Sequence, residues 1–292
     1  MTPPSRHRPF LTAAGAPLTR DIAVVNEFGE RSVASIPAER PLTVYVDKRE
    51  LVTLMTLGAM PELLVLGYLR NQRLVRTIDD VEAVTVDWEV HAAAVQTRHG
   101  IEDIEARTAQ RVVTTGCGQG SVFGGLMDEL EDIRLPAASQ LTQAQLYGLL
   151  DAIRRQETTY KSAGSVHGCA LFRGEQMLMF VEDVGRHNAI DTIAGWMWLQ
   201  DPATMAGDDK VFYTTGRLTS EMVIKAAQMG IPIIVSRSGI TQMGYELAER
   251  LDLCTIGRAT NKHFLCYTAP RRLVLQPELA APRAGRPAPQ GA

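Results

Sequence analysis

Lys210-Val-Phe-Tyr-Thr-Thr-Gly-Arg-Leu-Thr-Ser-Glu-Met-Val-Ile-Lys-Ala-Ala-Gln-Met-Gly-Ile-Pro-Ile-Ile-Val-Ser236 is the stretch that decides the fold. An apolar run, Lys210–Thr214, gives way at Gly216 to a segment of helical period, Thr219–Met229. Gly230 stands where a helix C′ residue belongs. A second apolar run, Ile231–Ser236, follows. Strand, helix and strand in this order imply a right-handed crossover between parallel strands. The pattern continues with helix Gln242–Leu251 and strand Cys254–Ile256, and Phe264–Tyr267 closes the series. Upstream, Cys169–Phe172 and Met177–Val181 flank Arg173-Gly-Glu-Gln as a hairpin, with a helix from His187 to Leu199 behind it. The expected class is α/β with a largely parallel sheet.

The first half is less regular. Leu42–Val46 reads as a strand and Pro61–Arg70 as a helix carrying Leu63, Leu64, Leu66 and Leu69. Val84–Val90 alternates with period two, and Ala92–Thr97 is its expected partner. Thr142 is placed to cap a helix running to Gln156. Residues 1–18 and 276–292 read as disordered tails, the second for its Pro and Ala content. Between them, 19–136 forms an N-terminal region with a mobile glycine-rich loop at 111–121, and 137–275 forms the α/β domain.

The chain has 292 residues, 45% of them hydrophobic, enough to bury a substantial core without disulfides. A net charge of −3 argues against a general nucleic-acid or membrane-surface binder, both of which need a cationic field. No stretch approaches the roughly 20 apolar residues of a membrane span, and the first 18 residues hold no apolar signal core. The expected compartment is the cytoplasm. The four cysteines, 117, 169, 254 and 266, show no metal-finger spacing.

Three strand ends share one chemistry: Thr214-Thr-Gly-Arg-Leu-Thr-Ser220, Ser236-Arg-Ser-Gly-Ile-Thr241 and Gly257-Arg-Ala-Thr-Asn-Lys262. Ligands of open α/β sheets bind outside the carboxyl ends of the strands. Helix N-termini there offer free N–H groups. Arg217, Arg237, Arg258 and Lys262 add positive charge, so these ends read as an anion site for a nucleotide or pyrophosphate. No Gly-x-Gly-x-x-Gly or Walker loop is present, which argues against an ordinary dinucleotide or P-loop site. The cluster Glu182-Asp-Val-Gly-Arg-His-Asn-Ala-Ile-Asp191 reads either as a helix cap that also binds ligand, or as a structural turn with an Asp183–Arg186 ion pair. His167 reads as a hydrogen-bonded structural histidine.

Cys117 differs from the other cysteines. Cys169, Cys254 and Cys266 lie in apolar runs and read as buried, inert thiols. Cys117 lies in Thr115-Gly-Cys-Gly-Gln-Gly120, with no bulky neighbour within two residues. Such a thiol is accessible, and Arg107 and Arg111 are candidate cations to favour its thiolate. These residues alone leave open an incidental surface cysteine. Position 120 is Gly, so no Cys-x-x-Cys redox pair exists there.

Taken together, several motifs make the chain resemble the formate dehydrogenase accessory sulfurtransferases of the FdhD family, over about Val44–Arg272. They are Glu50-Leu-Val-Thr-Leu-Met55, the Thr115-Gly-Cys-Gly118 loop, His167, the 182–191 cluster, Gly216-Arg-Leu-Thr-Ser-Glu-Met-Val223, Gly230-Ile-Pro-Ile-Ile-Val-Ser-Arg-Ser238 and Tyr267-Thr-Ala-Pro270. The resemblance implies a cytidine-deaminase-like three-layer α/β sandwich with a smaller N-terminal α+β region, assembled as a homodimer. It implies a sulfur carrier between a cysteine desulfurase and the formate dehydrogenase apoenzyme. The substrate would be a molybdenum-bis(molybdopterin guanine dinucleotide) cofactor. On this likeness Cys117 is the persulfide carrier, and Arg258, Ala259, Thr260, Asn261, Lys262 and His263 bind the cofactor with Arg217 and Arg237. The second loop cysteine of many members is replaced by Gly120. The deaminase zinc signature is absent, so no zinc is implied. The alternative is a cofactor-binding chaperone that moves no sulfur.

Overall fold

The computed structural model describes residues 8–101, 130, 133–156 and 158–280. The strands are β1 (Phe10–Leu11), β2 (Thr19–Val25), β3 (Arg31–Pro37), β4 (Arg40–Val46), β5 (Arg49–Thr56), β6 (Val81–Asp87), β7 (Ala92–Thr97), β8 (Leu141–Thr142), β9 (His167–Arg173), β10 (Gln176–Asp183), β11 (Lys210–Thr214), β12 (Ile233–Ser236), β13 (Cys254–Thr260), β14 (His263–Thr268) and β15 (Leu273–Val274). The helices are α1 (Pro61–Asn71), α2 (Gln143–Gln156), α3 (Thr159–Ala163), α4 (Arg186–Leu199), α5 (Pro202–Met205), α6 (Ser220–Gln228) and α7 (Gln242–Arg250).

The larger sheet has six strands in the order β10-β9-β11-β12-β13-β14. Its residues alternate between two cores, as the period of a strand requires. Phe212, Ile234 and Leu171 face α4, α6 and α7. Val211, Tyr213, Ile233 and Val235 face α2. Helices therefore cover both faces, and the three-layer sandwich is present. Only β11, β12 and β13 run parallel; the hairpins β9–β10 and β13–β14 add antiparallel edges, so the sheet is mixed, not largely parallel. The predicted cap of α2 is reciprocal. Thr142 Oγ1 accepts from the Gln145 N–H (3.1 Å), and Gln145 Oε1 accepts from the Thr142 N–H (2.9 Å).

The smaller sheet, β1-β6-β7-β4-β5, packs one face on α1. β2 and β3 form a separate two-stranded hairpin that the periodicity of the sequence does not reveal. The strand expected to reach Val90 ends at Asp87. There the Asp87 carboxylate accepts from the Glu89 N–H (2.8 Å), and His91 takes a left-handed conformation (φ 53°). Residues 8–18 and 276–280, which the sequence assigns to the tails, are held by specific contacts. β1 pairs with β6, while Thr12 Oγ1 and the Ala14 N–H both donate to Glu62 Oε1 (2.6 and 2.7 Å). At the other end the Gln276 N–H donates to Gln143 Oε1, and Gln276 Oε1 accepts from the Ala144 N–H (2.8 and 3.0 Å). No helix among the described residues is long and apolar enough to cross a membrane.

The two sheets are joined by a crossing of α1 on α4. A Cβ on Gly67 would lie 1.6 Å from the Asp191 carbonyl oxygen, and one on Gly195 would lie 2.0 Å from that of Leu63. Only glycines let the two backbones approach so closely. Around this contact Asn71 Nδ2 donates to Asp191 Oδ1 (2.7 Å), and Lys225 Nζ donates to Asp191 Oδ2 (2.8 Å). Lys225 also lies 3.5 Å from Glu221, and Glu221 lies 3.2 Å from His187 Nε2. Asp191 is fully buried. Substituting one member of a buried ion pair strands the other, so Lys225→Met is expected to lower unfolding stability by about 3–5 kcal/mol in urea melts. A loss under 1 kcal/mol would show that the pair does not hold these helices.

Candidate functional site at the strand ends

The carboxyl ends of β11 and β12 lead into loops that are hydrogen-bonded to each other. The Arg237 N–H donates to the Thr214 carbonyl (3.0 Å), the Leu218 N–H to Gly239 (2.9 Å) and the Thr241 N–H to Leu218 (3.0 Å). Ser236 Oγ donates to the Gly216 carbonyl (2.6 Å) and accepts from the Ser238 N–H (2.9 Å). The Arg258 N–H donates to the Ser238 carbonyl (2.7 Å), which ties the third strand to the second loop. Small and hydroxyl residues at these ends thus brace the loops before any ligand arrives.

Basic side chains gather on this scaffold. Arg186, the first residue of α4, crosses the bare backbone of Gly216, where a Cβ would lie 2.6 Å from its Cδ. Arg217 follows directly and is exposed. The Arg237 guanidinium lies over the Tyr160 ring, 5.1 Å from its centroid, a cation–π arrangement. His167 Nδ1 lies 3.4 Å from Thr215 Oγ1, which also accepts from the Gly168 N–H (3.1 Å). Partial burial lowers the His167 pKa, and Arg186, Arg237 and Arg217 lower it further.

The acidic side chains of the 182–191 cluster serve the framework. Glu182 accepts from Thr158 Oγ1 (3.1 Å) and from the Thr159 and Tyr160 N–H groups (2.8 and 3.0 Å), and so caps α3. Asp183 accepts from Thr56 Oγ1 (2.5 Å), the Leu57 N–H (3.2 Å), the Gly185 N–H (3.2 Å) and Asn188 Nδ2 (2.8 Å). Burial raises its pKa against those bonds. Asp183 is thus bonded to the end of β5 and to its own turn, which fits the structural-turn reading of the cluster. Both carboxylates are thereby engaged by hydrogen-bond donors.

The predicted 258–263 segment is placed differently from the other two strand ends. β13 continues through Thr260 and turns back into β14, so the third end is a hairpin and not a loop entering a helix. Arg258 is exposed with φ 50°, at a break in register beside the Arg237 loop. Ala259 is buried in the core on the α2 side. Thr260, Asn261, Lys262 and His263 are exposed, and the Lys262 carbonyl accepts from the Tyr147 hydroxyl of α2 (3.1 Å). Arg217, Arg237 and Arg258 therefore share one edge, whereas Lys262 is tied to α2. Arg186 and Tyr160 are additions that the strand-end motifs do not announce. The Gly216 that Arg186 needs is the only local sign of it.

Cys117, Gly120 and the loop 111–121 lie outside the described residues, as do Arg107 and Arg111. Cys169 is fully buried, donates to Thr214 Oγ1 (3.3 Å), and its thiol is pushed up to about 12 by burial. Cys254 and Cys266 are not separate inert thiols: their sulfurs lie 3.9 Å apart across β13 and β14, and Cys266 is only half-buried.

The chain is an α/β sandwich whose larger sheet carries Arg217, Arg237 and Arg258 at hydrogen-bonded strand ends. A sequence model of the FdhD/NarQ family matches residues 37–274, and the chain belongs to that family. It is 30% identical to the sulfur carrier protein FdhD of Bacillus subtilis (strain 168) over 235 residues, covering 80% of this chain and 88% of the relative. It is 30% identical to the sulfur carrier protein FdhD of Listeria monocytogenes (serotype 4b, strain F2365) over 243 residues, covering 82% and 92%. The fold also matches the crystal structure of a protein from Desulfotalea psychrophila described as a formate dehydrogenase accessory protein. That match has a TM-score of 0.70 and 24% identity, and covers 88% of this chain and all of the other.

Hydrogen bonds to a charged group contribute about 1.5–3 kcal/mol. Arg217→Ala and Arg237→Ala are each expected to weaken pyrophosphate binding roughly 10- to 100-fold by calorimetry, more at low salt than at high. Unchanged affinity in both variants would remove the anion site. A brief pulse of maleimide is expected to label Cys266 before Cys254 and Cys169, as peptide mass mapping would reveal.

Proposed function

We propose that the chain is a sulfur carrier that receives persulfide sulfur on Cys117 from a cysteine desulfurase. It would pass that sulfur to the molybdenum-bis(molybdopterin guanine dinucleotide) of a formate dehydrogenase apoenzyme. The observation that carries this reading is the match to the FdhD/NarQ family over residues 37–274, in a chain whose hydrogen-bonded loops after β11 and β12 carry Arg217 and Arg237. The guanine dinucleotide carries a pyrophosphate, and this edge has the charge to hold one. In the loading step the Cys117 thiolate attacks the outer sulfur of the donor persulfide. A new sulfur–sulfur bond forms on Cys117, and the donor leaves as a thiolate. Arg217 and Arg237, with Arg258 beside them, would hold the phosphates of the receiving cofactor, and the 259–263 hairpin would flank it. The cytoplasm and a homodimeric assembly complete the reading.

A second reading is a cofactor-binding chaperone without sulfur transfer. Gly120 favours it, because the second loop thiol of many family members is missing here. The two readings separate after incubation with desulfurase and cysteine. An adduct of about 32 Da on the Cys117 peptide, lost in Cys117→Ala, is expected for the carrier. Guanine-nucleotide binding with no adduct supports the chaperone. In a strain lacking the native protein, Cys117→Ala is expected to abolish formate dehydrogenase activity; full activity would end the relay.

A further inference from the structure

Cys254 and Cys266 meet across the last two strands of the larger sheet, their sulfurs 3.9 Å apart. The register of these strands breaks beside the two thiols. Thr255 lies opposite Thr268 and Ile256 opposite Cys266, so Tyr267 is an extra residue on β14. A bulge of this kind bends its strand and re-aims the side chains next to it. The Tyr267 ring fills the space over Gly257, where a Cβ would lie 2.6 Å from its Cε2. Thr268 Oγ1 is fixed by Thr255 Oγ1 (2.7 Å) and the Leu253 carbonyl (2.6 Å). The residues after Cys266 are thus anchored, and Cys266 packs with Cys254 on the α2 side of the sheet.

The two thiols differ in access. Cys254 is fully buried, whereas Cys266 is half-buried on β14, an edge strand. The Cys266 S–H donates to the Thr268 carbonyl (3.5 Å), which leaves the Cys254 S–H to donate to the Cys266 sulfur. That contact lowers the Cys266 pKa. The same contact, with burial, raises that of Cys254. An attacking thiol needs access and thiolate character, and a resolving thiol needs only to be within reach. Cys169, the other cysteine among the described residues, lies in the core on the opposite face of the sheet and donates to Thr214 Oγ1.

We propose that Cys254 and Cys266 form a reversible thiol–disulfide site that reacts with small-molecule disulfides. The Cys266 thiolate attacks one sulfur of the reagent. The reagent's sulfur–sulfur bond breaks, a mixed disulfide forms on Cys266, and one thiolate leaves. Cys254 then loses its proton to solvent and attacks the Cys266 sulfur, which releases the other half of the reagent as a second thiolate. Two protein thiols are oxidised, and one disulfide is reduced to two thiols. The product ties together the two strands of the hairpin that carries Arg258 and Lys262, and excess thiol reverses it. In a reducing compartment, disulfides of this transient kind serve redox sensing. This chemistry is separate from the proposed sulfur transfer and depends on neither Cys117 nor the anion site.

The test treats the folded full-length protein with oxidised glutathione, blocks the remaining thiols with N-ethylmaleimide and maps the peptides without reduction. A Cys254–Cys266 cross-linked peptide is expected, about 2 Da lighter than the sum of the two reduced peptides and cleaved by dithiothreitol. In folded Cys254→Ser the exchange is expected to stop at a glutathione adduct on Cys266, about 305 Da heavier. Maleimide on both cysteines of the wild type overturns the proposal, as does glutathione retained on Cys266 with Cys254 blocked. A cross-link of either residue to Cys117 or Cys169 in its place also overturns it. The wild-type map decides the matter if the variant does not fold.

Discussion

Asp191 is the residue on which the arrangement of the molecule depends. Its backbone carbonyl faces Gly67, and its carboxylate bonds Asn71 of α1 and Lys225 of α6. A carboxylate this deep is tolerated only because both oxygens are satisfied and a cation is in contact. The consequence is geometric. α1 carries the smaller sheet, α4 opens with Arg186, and α6 begins just beyond Arg217, so one side chain fixes the spacing between the two halves and two of the arginines. Glu221 and His187 extend the same chain of contacts to the helix starts that border the site.

Much of the larger sheet was legible in the sequence because its strands are buried on both faces and its helices have clear apolar stripes. Lys210–Thr214 and the α2 cap stand as the periodicity and the turn chemistry indicate. The failures have physical reasons. The β9–β10 hairpin was read from its turn, but nothing in Phe264–Tyr267 told that β14 turns back on β13 or that β9 runs against β11, so the sheet was read as more parallel than it is. β2 and β3 hold no fully buried residue, so no face of theirs reads as a core face. The segment before Leu18 looks irregular because it is held by Glu62, a partner some fifty residues away.

The site was legible in its charge and not in its assembly. Arg217 and Arg237 were found because each follows an apolar strand and precedes a helix. Arg258 shares their edge, but through a hairpin and a bulge, a geometry its sequence shares with an ordinary strand end. Arg186 was read through its nearest acid, Asp183. That acid takes hydrogen bonds from β5 and from its own turn, and it is the fold that lays Arg186 across Gly216. His167 was read as structural, and its contact with Thr215 agrees with that.

The hydrogen bonds that bind the loops after β11, β12 and β13 to one another have a consequence for recognition. Three basic side chains, Arg217, Arg237 and Arg258, are mounted on neighbouring strand ends whose separation is set by the sheet at roughly 4.8 Å per strand. The points from which these charges spring are thereby held at a fixed spacing, whatever the exposed side chains of Arg217 and Arg258 then do.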